Sequence, residues 1–516
     1  MSWQPEVDEL HRRTEMALQM GGPDSVAFHK SRGKLTVRER IDLLSDPGSF
    51  REGGVLAGTA EWDGIKLKKL TPANSVTGFV KIDGRKVMVL GGDFTIRGGA
   101  ADGALADKGM WALKQAHSNR IPFIRLLDAA GGSVRTFEKI GRTYLSTSDR
   151  TMEYDIMQRV PCVSAILGSA AGLPAIYGVF CHFNVMVQGT SQLFAGGPPV
   201  VKASLGVDID KEALGGVDVH VRDSGVVANV AKDEADAFRQ VKRFLSYLPQ
   251  NVWQLPPRIE AAPPAPERQE ELLSFIPRNS RKSYDIRKLL DIVLDRDSFF
   301  EIQPLYGRSR ITGFARVNGH AVGVMANNCR FMGGALDVPA SDKTGRFLQI
   351  CDMFHLPLVY FCDEPGFMVG EQSERDGIIR QGARALGILN MSQIPYLTFV
   401  LRQVYGVAGG LNHRGGPMMY RRYAWPSGNW GSMHITGGVA AAYRAEIAAA
   451  PDPEAKRIEI EARLNELASP FRTAHAGQVD LIDPRQTRSL MEEFVEDAQE
   501  VLRTQVGQTS RVPFLP

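Results

Sequence analysis

The sequence predicts an α/β protein built as two copies of one fold. Three observations carry this: an internal repeat, a proline-dense connector between the copies, and the same strand and helix patterns in each. Shifting the chain by 235 residues superposes residues 77–131 on 312–366 without a gap. The overlay holds 16 identities in 55 positions, where average residue usage gives roughly three or four by chance. Thr77-Gly78-Phe79 meets Thr312-Gly313-Phe314, Gly98-Gly99-Ala100 meets Gly333-Gly334-Ala335, and Asp107-Lys108 meets Asp342-Lys343. Pro122, Asp128 and Gly131 meet Pro357, Asp363 and Gly366. The connector, residues 255–267, has five prolines in 13 positions; that density forbids a helix or a central strand and favours an extended link. The expected domains are therefore 1–258 and 268–516, each long enough for its own core.

Each copy opens with two β-rich runs joined by Asp83-Gly84 or Asn318-Gly319, and Asx-Gly between such runs predicts a type I′ hairpin. DKGMWALKQAHSNR and DKTGRFLQICDMFH follow, with apolar residues at helical spacing. A buried strand comes next, IPFIRLLDAAGG or LPLVYFCDEPGF, and after a longer helical stretch a second one, PCVSAILGSAAG or PYLTFVLRQVYG. Residues 440–465 and 482–505, rich in Ala, Glu and Arg, read as peripheral helices. Ligands of α/β sheets gather at the carboxyl ends of strands. Gly131, Gly132, Gly366 and Gly406, at those ends, are the expected cofactor-binding positions.

Composition narrows the function classes. The chain has 516 residues, 43% hydrophobic and 23% charged, with 61 Lys and Arg against 58 Asp and Glu. That is a globular balance, and a formal charge of +3 argues against duplex nucleic acid as a partner. Five scattered cysteines without a C-x-x-C pair suit a reducing compartment and no zinc ribbon. The polar start MSWQPEVDELHRRTEM, and the lack of an 18-residue uncharged apolar run anywhere, point to the cytoplasm and away from a membrane.

Two strand exits carry the candidate chemistry. Gly168-Ser169-Ala170-Ala171-Gly172-Leu173 and Gln403-Val404-Tyr405-Gly406-Val407-Ala408 each bring small-residue backbone to the start of a helix. They read either as tight strand-to-helix turns or as sources of free N–H groups for an oxyanion. Pro174 cannot donate, so the expected catalytic donors are Gly172 and Leu173 on one side and Val407 and Ala408 on the other. Signatures for nucleophilic hydrolysis, zinc proteolysis, NTP hydrolysis and dinucleotide redox chemistry are absent. Asp363-Glu364 beside Pro365-Gly366 reads as a turn at a strand end, and the isolated His182, His413 and His434 as structural histidines. No metal site is expected.

Several stretches, in order, are similar to the carboxyltransferase (β) subunits of biotin-dependent acyl-CoA carboxylases. Gly33-Lys34-Leu35-Thr36 with Arg38-Glu39-Arg40-Ile41 resembles that family's GKLTARERI opening, and Phe94-Thr95 with Gly98-Gly99 its FTxxGGS segment. LFAGGPPVVK followed by Glu212-Ala213-Leu214-Gly215-Gly216 resembles LFxTGPxVVK…EELGG. In the second half GFMVGEQSERDGIIRQGARAL, Tyr405-Gly406-Val407-Ala408 and Tyr423-Ala424-Trp425-Pro426 are similar to GFLPGxxQExxGIIRHGAKLL, YGGA and AWP.

The resemblance implies a duplicated crotonase-like fold and the transfer of a carboxyl group from N-carboxybiotin to the α-carbon of an acyl-CoA. It implies Gly172-Leu173 at the thioester oxygen and Val407-Ala408 at the biotin carbonyl. Such donors contribute about 3 to 4 kcal/mol each. It further implies biotin on a separate protein, coenzyme A as part of the substrate with its phosphates met by basic residues of the N-terminal half, a biotin carboxylase and a carrier as partners, and a homo-hexamer in which halves of different subunits face each other. The chain departs from the family at Asp128-Ala129-Ala130-Gly131-Gly132 (family DSGGA), Gly172-Leu173-Pro174 (GGA) and Tyr405-Gly406-Val407-Ala408-Gly409-Gly410 (YGGAY followed by Asp). Gly410 leaves open a position that lines the acyl pocket of propionyl-type relatives, so the acyl group stays undetermined. Two alternatives stand beside the carboxylase reading: a decarboxylase subunit running the same chemistry backwards, and a non-catalytic scaffold.

Overall fold

A computed structural model describes residues 2–145, 150–413, 415–507 and 510–516. The chain forms two compact units, Met1–Val252 with Leu515–Pro516, and Trp253–Phe514. The division falls just before the proline-dense connector, whose backbone is bonded into the second unit: Ile259 N–H donates to the Gly319 carbonyl at 3.1 Å and Arg296 N–H to that of Ala262 at 2.7 Å.

The first unit holds an eight-stranded sheet: β1 (Arg51–Glu52), β2 (Ser75–Ile82), β3 (Arg85–Gly92), β4 (Phe123–Ala129), β5 (Cys162–Ala171), β6 (Phe183–Val187), β7 (Gln192–Phe194) and β8 (Asn229–Ala231). Its order is β1-β2-β3-β4-β5-β6-β8, with β7 also on β5. The hairpin partners β1–β3 are antiparallel, and β3 onwards is parallel. The second unit repeats this plan with β9 (Phe300–Ile302), β10 (Arg310–Val317), β11 (His320–Asn327), β12 (Leu358–Glu364), β13 (Tyr396–Tyr405), β14 (Tyr420–Ala424), β15 (Asn429–Gly431) and β16 (Asp480–Leu481). The order is again β9-β10-β11-β12-β13-β14-β16, with β15 on β13. The duplicated α/β architecture read from the repeat is the architecture present.

Local chemistry explains the match. Asp83 and Gly84 both take positive φ (49° and 78°), as do Asn318 and Gly319 (51° and 78°), which is the type I′ geometry that suits the strand twist. β5 and β13 lie in the sheet interior, flanked by strands on both sides, and read as near-continuous buried runs. The repeated Asp-Lys pair lies in the first two turns of the helices Ala106–Asn119 and Val338–Met353. There Lys343, fully buried, donates to the Gln303, Tyr306 and Arg310 carbonyls at 2.7, 3.1 and 2.8 Å, while its counterpart Lys108 pairs with Glu52 at 3.5 Å. One register irregularity is also duplicated: the parallel pairing slips between Leu127 and Ala129 in the first sheet and between Cys362 and Glu364 in the second.

The C-terminal helices divide. Those spanning 435–467 are largely exposed, as expected. The helix Thr487–Arg503 is not peripheral: Met491, Phe494 and Val495 join the second core beside Trp425, whose indole N–H donates to Thr487 Oγ1 at 3.1 Å. Its apolar residues recur every three or four positions, a signal that the polar composition of the segment obscured.

Candidate functional site

In both units the central strand leaves its sheet through a left-handed glycine. After β5, Gly172 has φ 64° and the helix Leu173–Val179 begins. After β13, Gly406 has φ 61° and the short turn Ala408–Asn412 follows. Each glycine N–H is taken up by the small strand alongside: Gly172 donates to the Phe194 carbonyl at 2.9 Å and Gly406 to that of Gly431 at 3.2 Å. Gly172 therefore cannot be the donor expected of it.

The amide that each turn offers belongs to the next residue. The N–H groups of Leu173 and Val407 have no partner among the described residues, and the two residues are 42% and 69% exposed. They occupy the same place in the repeat, as do Pro174 and Ala408. Ala408 fails as a presented donor for a different reason from Pro174: it is fully buried in the turn. Of the four expected catalytic positions, Leu173 and Val407 are the ones that join an unpartnered N–H to an exposed residue.

The glycines expected to bind a cofactor have packing roles as well. A Cβ on Gly131 (φ 83°) would stand 2.2 Å from the Ala171 carbonyl oxygen, the last residue before Gly172. Gly366 (φ 125°) takes the matching place, 3.9 Å from the Tyr405 oxygen. Gly131 and Gly366 also accept backbone bonds, from Ala101 at 2.8 Å and Leu336 at 3.0 Å. Gly132 is exposed with nothing near its Cβ position, so it alone of the Gly131-Gly132 pair is open to a ligand. Gly406, exposed, forms the turn itself.

Behind each turn lies a buried aspartate, the odd residue of the duplicated register slip. Asp128 receives Lys34 Nζ on both oxygens at 3.2 Å and Arg40 at 3.2 Å; Arg40 also forks onto Glu234 at 2.8 and 2.7 Å. A Cβ on Gly168 would lie 2.0 Å from Asp128 Oδ1, so this glycine makes room for the carboxylate. In the second unit Asp363 receives Arg402 at 3.2 and 2.9 Å, the Tyr284 hydroxyl at 2.8 Å and the Gln403 N–H at 3.1 Å.

The electrostatics follow from burial. Burial lowers the Lys34 pKa, opposed by Asp128. Burial also works against the Arg40 charge, but Glu234 and Asp128 outweigh it and hold its pKa above the ordinary value. Burial and the neighbouring Asp363 push the Tyr284 hydroxyl up, so it stays a donor. These groups are locked into ion pairs and hydrogen bonds, and they support the turn without offering a free base. The sequence named Lys34 and Arg40 only as letters of a motif; the repeated Asp128 and Asp363 were the available sign that something charged lay beneath.

Space adjoins both turns. A groove of about 840 Å³ begins at Gly172 and is lined mostly by apolar side chains, among them Ile176, Phe194 and Val200. A smaller cavity of about 340 Å³ adjoins Gly406, Gly410 and Arg422. Among the described residues, no group of three or more His, Cys, Asp or Glu could hold a metal ion, and no helix is long and apolar enough to cross a membrane.

Residues 28–506 match the carboxyl transferase domain family. The chain belongs to the carboxyl transferase family. This carboxyl transferase is 36% identical over 495 residues to the propionyl-CoA carboxylase carboxyltransferase subunit of Haloferax mediterranei, covering 95% of each chain. It is 34% identical over 486 residues to the mitochondrial propionyl-CoA carboxylase beta chain of Mus musculus, covering 93% and 88%. With the methylmalonyl-CoA decarboxylase subunit alpha of Veillonella parvula it shares 31% over 494 residues, covering 94% of each. The crystal structure of transcarboxylase 12S, a hexamer with methylmalonyl-coenzyme A bound, superposes with a TM-score of 0.85 at 32% identity over 97% of this chain and 96% of that one.

Proposed function

We propose that this carboxyl transferase is the carboxyltransferase subunit of a biotin-dependent acyl-CoA carboxylase, with its two units, corresponding to the expected domains 1–258 and 268–516, each supplying one oxyanion donor. The observation that carries this is the repeated unpartnered amide on an exposed residue, Leu173 in one unit and Val407 in the other, each following a left-handed glycine. Carboxyl transfer to a thioester α-carbon builds charge in two places, on the thioester oxygen and on the carbonyl of the carboxyl donor. A preorganised N–H aimed at each lowers the barrier without needing a side-chain acid or base. In this reading Leu173 N–H meets the thioester oxygen and Val407 N–H meets the biotin carbonyl.

The residues present fit that pair of groups, because an uncharged, unpartnered amide suits a neutral carbonyl that gains charge only during reaction. Biotin, carried on a separate protein, supplies the transferable carboxyl when bound. The chain's own part is to hold the two oxygens and exclude water. The apolar groove beginning at Gly172 suits the second task. The exposed Leu173 and Val407 side chains, where the family has glycine, favour an acyl group that differs from the propionyl type, as does the open position at Gly410. The partners in this reading are a biotin carboxylase, a biotin carrier and further copies of the chain in a hexamer, in the cytoplasm; five buried free cysteines agree with a reducing compartment.

The test is to combine the purified chain with its biotin carboxylase and carrier, bicarbonate, ATP and a panel of acyl-CoAs. Carboxylated product is expected for at least one thioester, and none across the panel overturns the proposal. The similarity to a decarboxylase subunit favours a second reading, the same site run in reverse. Transfer of the carboxyl from the α-carbon of a carboxyacyl-CoA to carrier-borne biotin, leaving the acyl-CoA, without net synthesis, would select it. Turnover in either direction excludes a non-catalytic scaffold.

A further inference from the structure

The second unit has a cavity that the carboxyl-transfer reading does not use. It has a volume of about 680 Å³ and lies beside the end of β13, within the range of small-molecule sites. Its lining includes Arg278, Arg281, Arg402 and His434 and no carboxylate. Arg402 is already matched with Asp363 at 2.9 Å. Arg278 and Arg281 are exposed, and among the described residues neither side chain makes an ion pair or hydrogen bond.

The loop that bears them is held in place. Arg402 Nη1 donates to the Ser280 and Lys282 carbonyls at 3.2 and 3.0 Å. Asn279 closes a turn around the same residues, its side chain accepting from Arg281 N–H at 2.9 Å and its carbonyl from Lys282 N–H at 3.0 Å. The buried Arg402 thus anchors a turn from which two unpaired guanidinium groups reach over the cavity. Leu273 and Ile276, just before the two arginines in the chain, add apolar surface to the lining.

We infer that this cavity binds a phosphate ester of nucleotide size, its phosphates between Arg278 and Arg281 and its remaining body against Leu273 and Ile276. Guanidinium forks match phosphate oxygens in pairs, and the absence of a carboxylate in the lining leaves their charge uncompensated until an anion arrives. The inference is independent of the reaction assigned to the Leu173 and Val407 amides.

The experiment is calorimetric titration of the full chain with ADP at low and high salt. Saturable binding is expected, weaker as salt rises, and at least about tenfold weaker in the Arg278→Ala, Arg281→Ala double variant. Both side chains are exposed and unpaired, so the melting temperature should hold; an Arg278→Gln, Arg281→Gln pair serves if it does not. Displacement of ADP by coenzyme A would name the coenzyme as the source of the phosphate ester, and failure of displacement would name a free nucleotide. Absence of saturable binding, affinity unchanged in the substituted protein, or equal competition by inorganic phosphate overturns the inference.

Discussion

Gly131 and Ala171 approach so closely that a single methyl group on the glycine would stand 2.2 Å from the Ala171 carbonyl oxygen. This contact between the end of β4 and the end of β5 sets where the chain turns through Gly172, and hence where the Leu173 N–H points. Gly131 also has φ 83°, where an L-residue is strained by about 1–2 kcal/mol.

Gly131→Ala should therefore cost more than about 2 kcal/mol, since strain and overlap add. Acyl-CoA carboxylation should fall with it. Denaturant unfolding and steady-state kinetics on the same preparation check this; full activity at full stability would show that the turn does not depend on the contact.

Val407→Pro isolates the amide. Val407 has φ −68° and ψ −37°, a conformation proline adopts, so the change removes little beyond the N–H. Turnover should drop about 10² to 10³-fold with the melting temperature nearly unchanged. Ala408→Pro is the less informative substitution, because that residue is buried.

Arg40→Met should destabilise the first unit by about 3–5 kcal/mol. It would leave Asp128 with Lys34 alone and Glu234 without its bidentate partner. Adding Glu234→Gln should recover part of the loss, because the carboxylate left without a cation goes with it while Asp128 keeps Lys34. Chemical denaturation of the single and double variants measures both effects.

The cysteines should resist modification in the folded protein. All five are buried, and burial pushes the Cys162 thiol from 9.0 up to about 12, so at pH 8 it is essentially all thiol and a poor nucleophile. Iodoacetamide should label none of the five until denaturant is added. The sign for stability follows: the unfolded chain releases this proton near pH 9 while the folded chain keeps it, so stability falls as pH rises from about 9 toward 12.

Much of the fold was legible because its signals are short-range or repeated. Asp83-Gly84 and Asn318-Gly319 announce their hairpins by residue type alone, and the identities from Thr77 to Gly131 disclose the second copy. The helix at 487–503 was misplaced to the surface because composition hides which face Met491 and Phe494 share. At the site, the turns were found, and Leu173 and Val407 were among the amides named with them; that Gly172 gives its N–H to Phe194, 22 positions on, is a tertiary fact with no local trace. The pairing of Asp128 with Arg40 spans 88 residues and is equally invisible in one sequence.

The slipped aspartates have been mended separately in the two copies. Asp128 is neutralised by Lys34 and Arg40, and Asp363 by Arg402 with help from Tyr284; none of these helpers occupies an equivalent position in the other copy. After duplication, each copy thus arrived at its own remedy for an inherited interior charge. The partners named lie in the same unit as their aspartate, so exchanging one copy for that of a relative would carry the remedy along with the defect.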